Sequence, residues 1–115
     1  MRSTEWGRIP AMPSCHAVIF RATRNPADDG YAVMAARMET LARQQPGFLG
    51  LESFGDGPES LTVSYWSSLE AIAAWRAHPE HQEAQRLGRE RWYAGYSLRV
   101  ATVEAELHFP EPERG

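Results

Sequence analysis

Two rhythms of apolar and polar residues run along this chain. The stretch CHAVIFRAT, Cys15 to Thr23, is short, rich in β-branched and aromatic residues and stopped by RNPADDG, which predicts a first strand. Beyond it Tyr31, Met34, Ala35, Met38, Leu41 and Ala42 recur at helical steps of three and four, while Arg37, Glu39 and Arg43 point elsewhere. Asn25 fits the cap of this helix, with Pro26 in its first position and Asp28 and Asp29 in its first turn, where carboxylates suit the positive end of the helix dipole. Methionines on such a face are ordinarily core.

QQPGF ends the helix, because Pro46 cannot continue it and restricts Gln45 before it. GFLGLESF and SLTVSYW are extended runs joined by the turn GDGPE, so they should pair as a hairpin. Ser67 and Glu70 have capping-box spacing and open a helix with Leu69, Ile72 and Trp75/Arg76 along one side. Pro79 kinks or restarts it, the second half runs from about Glu80 to Tyr93, and YSLRVATVEAEL after Gly95 is the last strand.

The order strand, helix, strand, strand, helix, strand predicts an α+β domain with the ferredoxin-like split βαβ arrangement (βαββαβ), an antiparallel sheet and both helices on one face. Leu61, Val63 and Tyr65 oppose Trp66, and Leu98 and Val100 oppose Ala101 and Val103, so the face without helices must also meet something dry. A second copy of the sheet is the economical cover, which makes a two-fold homodimer the expected partner.

Length and charge narrow the picture. With 115 residues the chain fits one domain, assigned to residues 15–107, between a loose arm (residues 1–14, where Met12 is an alternative start) and a proline-broken tail (residues 108–115). Twelve Lys+Arg against 15 Asp+Glu give a net charge of -3 without a cationic stripe, which argues against nucleic acid. One cysteine, Cys15, allows no intrachain disulfide, and no apolar run approaches the roughly 20 residues of a membrane span or signal core, so a cytoplasmic protein is expected.

The candidate chemistry lies in AWRAHPEHQEAQRLGRERWY. On a helical wheel His81, Gln85, Gly88 and Trp92 share one stripe beside Ala84 and Leu87, whereas Glu83, Arg86 and Glu90 lie opposite and read as a solvated face. A histidine and a glutamine on the inward half must find partners or line a cavity. His78 and His81 are split by Pro79 and have no third ligand at a recognisable spacing, so no metal is expected. Cys15 lacks a helix N-terminus or basic cluster to activate it, and no glycine-rich phosphate loop follows a strand. Arg21, Glu52 and Arg99 sit mid-strand, where a structural pair between Glu52 and an arginine is the economical arrangement.

PGFLGLES together with SYWSSLEAIAAWRAHPEHQEAQRLGRERWYAGYSLRVATVE resembles the antibiotic biosynthesis monooxygenase (ABM) family, in particular its YqjZ-like, haem-degrading-monooxygenase-related branch, over roughly residues 16 to 105. The most specific features are Trp66, then Trp75, Arg76, His81, Ala84, Gln85, Gly88 and Arg89, then Tyr96, Arg99 and Val100. The resemblance implies a dimeric α+β barrel and a small monooxygenase. One group of the family oxidises phenols, anthrones or hydroquinones to quinones with O2 and without flavin or metal; another binds haem and opens its ring. The haem-degrading set combines a strand asparagine, a helix tryptophan and a later helix histidine. Trp75 fits the tryptophan, but Gln85 stands where the histidine would align and Cys15 to Thr23 holds no asparagine, so only His81, a turn earlier, remains as an axial ligand.

The expectation is therefore a cofactor-independent oxidation of a small aromatic or polycyclic substrate by O2. His81 or His78 would be the base, Gln85 or Arg89 would hydrogen-bond the oxyanion, and Trp66, Trp75, Trp92 and Arg99 would form the substrate site. Haem-linked oxidation is the alternative, and a dimer that binds a small ligand without chemistry is the non-catalytic one.

Overall fold

The computed structural model describes residues 14–26, 30–55 and 57–110, so most of the arm, Met12 included, and the last part of the tail lie outside the described residues. The chain runs β1 (His16–Arg24), α1 (Tyr31–Arg43), β2 (Phe48–Phe54), β3 (Glu59–Trp66), α2 (Leu69–Arg76), α3 (Pro79–Leu87), a π-helical turn (Gly88–Trp92) and β4 (Tyr93–Thr102). The four strands form one antiparallel sheet in the order β2-β3-β1-β4, the ferredoxin-like arrangement that the element order predicts. Among the described residues no helix is long and apolar enough to cross a membrane.

Punctuation by Gly, Pro and Ser sets the helix ends, in places a residue or more from where the sequence suggests. α1 does not begin at Asn25: its N-cap is Gly30, whose φ of 83° is left-handed and costs a glycine little. Asn25 is engaged elsewhere, its side-chain amide donating to the Arg91 carbonyl (2.8 Å) and its N–H to the Trp92 carbonyl (2.9 Å), which ties the end of β1 to the π-helical turn. Asp28 and Asp29 lie outside the described residues. α2 is capped by Ser68 and not Ser67: extended at φ -157°, Ser68 accepts the Ala71 N–H at 3.0 Å, while the Ser67 N–H donates to the Gly47 carbonyl. Leu69 in the first position of α2 is left 54% exposed, and Ile72 and Trp75 alone carry the buried side. Pro79 restarts the helix as the first residue of α3, with His78 as its cap.

The helices cover one face of the sheet. Leu41 and Ala42 from α1, Ile72 and Trp75 from α2 and Trp66 from β3 make the buried core, with Val18, Met38 and Phe48 packed against it. The alternation of β3 is inverted relative to the usual pattern. Trp66 faces the helices, but so do Ser60, Thr62 and Ser64, whereas Leu61, Val63 and Tyr65 face the open side. The Trp66 indole, fully buried, donates to Ser64 Oγ at 2.9 Å, and Ser53 Oγ and Thr62 Oγ1 lie 2.9 Å apart on the neighbouring strands.

The open face carries a row in which Glu52, Val63, Ile19 and Arg99 are successive cross-strand neighbours. Glu52 and Arg99 thus stand at opposite edges, and the expected pairing of Glu52 with an arginine does not form. Tyr65 donates to Glu52 at 3.4 Å and Arg99 to Ser97 at 3.0 Å, which their exposure allows.

Replacing Ser68 by alanine should lower the unfolding free energy by about 1 kcal/mol, the usual worth of a serine cap. Ser67→Ala should stay within about 0.5 kcal/mol of the parent. Urea titrations of the two variants side by side check the capping register.

Candidate functional site

A cavity of about 290 Å³ lies between the helices and the sheet. This is near the lower end of the roughly 300–1,000 Å³ of small-molecule sites. Its floor is the hydroxyl row of Ser60, Thr62 and Ser64, flanked by Ser53. Met34 and Met38 of α1 line one wall, so methionines that read as plain core also border this space. Trp75, His81 and Gln85 form the opposite side, and Trp66 and Trp92 also border the space.

His81 is held from two directions. Its ring stacks on Trp75, with centroids 4.2 Å apart and planes 18° from parallel, and its Nδ1 lies 3.0 Å from the Trp75 carbonyl oxygen. A carbonyl only accepts, so Nδ1 carries the proton and the neutral ring keeps its lone pair on Nε2, for which the described residues offer no partner. Burial holds the imidazole below its ordinary pKa of 6.5 against the opposing effect of the carbonyl bond, and the positive charges of Arg76 and His78 push the same way as burial. Gln85, a turn further on, reaches back to the Arg76 carbonyl at 3.4 Å and joins α3 to α2.

The other nominated residues are placed differently. His78 is not in the cavity lining: its Nδ1 accepts the Glu80 N–H at 3.2 Å and starts the helix that carries His81. Arg89 is exposed in the π-helical turn and Arg99 is exposed on the open sheet face, so neither lines the cavity. Glu83, Arg86 and Glu90 form the solvated side of this segment, with Arg86 bonded to both carboxylates at 2.7 Å. Cys15 is buried at the start of the open face, where burial and the charge of Glu106 raise its thiol pKa, the opposite of an activated nucleophile. Among the described residues there is no cluster of three or more His, Cys, Asp or Glu side chains able to hold a metal.

Sequence reasoning did not anticipate the aromatic end of the cavity. Tyr31, Tyr93, Tyr96 and Phe20 pack edge-on or tilted at 5.3–5.9 Å, with the Arg24 guanidinium 3.6 Å from the Tyr31 ring centre. Burial and the bond to Tyr31 drive the Tyr93 phenol far above its ordinary pKa, so it stays protonated. Gly88 makes room for this ring: a Cβ there would lie 2.8 Å from the Tyr93 ring carbons. The π-helical turn that begins at Gly88 is a conformation often found beside functional sites. Beside these groups, α1 and α3 are clasped by Arg37, which donates to both oxygens of Glu80 at 2.9 and 3.0 Å, although neither residue lines the cavity.

Fold and residues together place the chain in a family: residues 16–87 match the antibiotic biosynthesis monooxygenase (ABM) model, and the chain belongs to that family. It is 48% identical over 101 residues to the uncharacterized protein YqjZ of Bacillus subtilis, covering 86% of this chain and 88% of that one. It is 28% identical over 102 residues to the jasmonate monooxygenase ABM of Pyricularia oryzae, covering 85% of this chain but 47% of that protein, so it spans about half of that relative. Among solved structures it resembles SnoaB, a cofactor-independent oxygenase from Streptomyces nogalater (TM-score 0.66, 17% identity, 85% of this chain and 99% of that one). Rv0793 from Mycobacterium tuberculosis is similar as well (TM-score 0.68, 21% identity, 85% and 100%). At these identities the structural likenesses establish the fold.

His81 should titrate below 6.5 in the folded protein, as read from its imidazole proton shifts in NMR. With the folded pKa depressed, the unfolded chain binds the extra proton, so His81 should cost stability as the pH falls from 6.5 towards the folded value. Urea melts across that window should show a steeper acid loss for the parent than for His81→Gln.

Proposed function

We propose that the cavity is the reaction chamber of a cofactor-independent monooxygenase that oxidises an aromatic or polycyclic phenol, hydroquinone or anthrone-like compound with O2. The observation that carries this reading is His81: a neutral imidazole, fixed in one tautomer, with an unpartnered Nε2 lone pair on the cavity wall. Such a base takes the phenolic proton. The phenolate passes electron density to dioxygen, a C–O bond forms at the ring carbon para to the oxygen, and the peroxide loses water to leave a carbonyl. One phenol and one O2 thus become one quinone and one water, with no outside reductant, and a CH2 converted to C=O obeys the same balance.

The surroundings suit that chemistry. Trp75 holds the imidazole ring by stacking, while Trp66 and Trp92 supply flat apolar surface that keeps water from the anion. Gln85, whose amide has only a long contact to the Arg76 carbonyl, is positioned to donate to the substrate oxyanion. His78 serves as the cap of α3, and Arg89 and Arg99 stand away from the chamber, so His81 and Gln85 carry the proposed chemistry. The likeness to SnoaB, a cofactor-independent oxygenase, and to the Pyricularia monooxygenase supports the reaction class. A haem-centred reading is less favoured, because Gln85 stands where the histidine of the haem-degrading set would align and β1 holds no asparagine.

With phenols, hydroquinones and anthrones as probes in an oxygen electrode, His81→Ala should lower uptake by about 10²-fold or more, the scale of a lost general base. Unchanged uptake would remove His81 from the mechanism. Ligand binding, seen as tryptophan quenching, without any oxygen consumption would make the protein a binding dimer and not an enzyme.

The open sheet face supports a homodimer. Leu61, Val63 and Tyr65 point out of the fold there, and Phe54 is 60% exposed. A second sheet turned about an axis along the strands would bring Glu52 of one copy over Arg99 of the other, because the two residues end the same cross-strand row. Glu52→Arg should therefore shift the sedimentation equilibrium towards monomer, and combining it with Arg99→Glu should restore the dimer. A monomeric parent protein would overturn the assembly.

A further inference from the structure

Arg76 closes α2 beside His81, is exposed, and has no counter-charge among the described residues. Arg37, Arg43 and Arg86 are matched with carboxylates, whereas Arg21, Arg24, Arg89 and Arg99 share with Arg76 the lack of a carboxylate partner; Arg76 differs from those four in lining the cavity. The Arg76 guanidinium has neither an ion-pair nor a hydrogen-bond partner among the described residues, and it is the one arginine in the cavity lining. Glu39 is the one acidic residue in that lining, and its carboxylate is engaged by Arg43 at 3.2–3.3 Å. The remaining polar surface consists mostly of uncharged hydroxyls, amide and phenols. The cavity is therefore a mainly apolar space bearing one uncompensated cation, permanently charged because a guanidinium does not lose its proton in this pH range.

We propose that Arg76 is the anion anchor of this cavity and selects a flat organic molecule that carries a carboxylate, holding that group next to His81. The planar fork of donors on a guanidinium matches a carboxylate oxygen for oxygen, a fit that an ammonium or a neutral amide does not reproduce. Its backbone stands next to α3, since the Arg76 carbonyl accepts a long bond of 3.4 Å from Gln85 of that helix. Trp75, the preceding residue, stacks with His81, and both line the same cavity as Arg76 and the hydroxyl floor of Ser60, Thr62 and Ser64. The charged or titratable groups around it are few: His81 and His78 from α3 and its cap, and the engaged Glu39 from α1. An anion placed there offsets the positive charge that disfavours protonation of His81, and it should draw the imidazole pKa upward. The inference rests on reading the cavity as a ligand site, and it names a substrate class for the proposed oxygenase: aromatic carboxylic acids with an oxidisable hydroxyl. Arg76 acts on selection and binding, and His81 on the proton.

The test compares 2-naphthoate with its neutral isostere 2-naphthamide by tryptophan quenching, in the parent and in Arg76→Gln, Arg76→Lys and His81→Ala. The parent should bind the carboxylate at least about tenfold more tightly than the amide, the worth of a charge-assisted hydrogen bond. Arg76→Gln should abolish the preference while leaving amide affinity unchanged, Arg76→Lys should keep part of it, and His81→Ala should retain it. In NMR, naphthoate should raise the His81 pKa in the parent and not in Arg76→Gln. Equal binding of the two probes, no binding of naphthoate, or a preference that survives Arg76→Gln would overturn the proposal. A preference that depends on Arg76 together with full oxygen uptake by His81→Ala would overturn the catalytic reading and leave the anion anchor standing.

Discussion

The Trp66 indole N–H bonded to Ser64 Oγ sits where two demands meet. The largest fully buried side chain among the described residues lies on the same face of β3 as Ser60, Thr62 and Ser64. An indole N–H deep in a core needs an acceptor, and a hydroxyl two residues back along the strand meets that need without disturbing the ladder. The same parity leaves three small polar side chains under the helices where most sheets would place Leu or Val. Small residues cannot fill the gap, so the layers enclose a space with a hydroxylated floor, and the apolar half of the strand is sent to the open face. The cavity and the apolar open face thus arise from one choice of which side of β3 is covered.

Around that space the reactive geometry is built from groups that restrain one another. Trp75 contributes its ring to His81 by stacking and its carbonyl to Nδ1, so a single residue sets both the plane and the tautomer of the imidazole. Because Pro79, four residues on, has no N–H to give, the Trp75 carbonyl accepts only the His78 N–H (3.1 Å) from the backbone and keeps a lone pair for His81 Nδ1 from the next helix. An unbroken helix would spend that carbonyl on its own ladder. The proline is therefore as much a part of the site as the histidine is.

The order of elements was legible because each is periodic and bounded by strong breakers such as Pro46 and Pro79. The inward stripe of His81 and Gln85 was legible for the same reason, since a 100° wheel needs no tertiary knowledge. The start of α1 was not. Asn25 has every local property of a cap, and only the approach of the π-helical turn, 66 residues away in the chain, draws its amide elsewhere. The covered side of β3 was half visible: Trp66 shares its parity with the serines, but alternation separates two faces without saying which is roofed. Arg76 was legible as one of the residues that carry the family resemblance and as a neighbour of Trp75 on one side of α2, but its place in the cavity lining without a carboxylate partner among the described residues depends on elements distant in the chain. Tyr31, Tyr93 and Arg24 come from three different elements, so no local pattern joins them.

The clasp between Arg37 and Glu80 joins the two helices from which Met38 and His81 border the cavity. It is the direct ion pair between α1 and α3, bidentate in shape, yet both side chains are about half exposed. Water and dissolved salt compete with such a contact at little cost. The two helices are thus joined by a bond that is specific in direction and cheap to release, while Trp66 and Trp75 stay buried in the core. The pair fixes how α1 and α3 face each other, and the cohesion of the layer comes from the aromatic packing beneath.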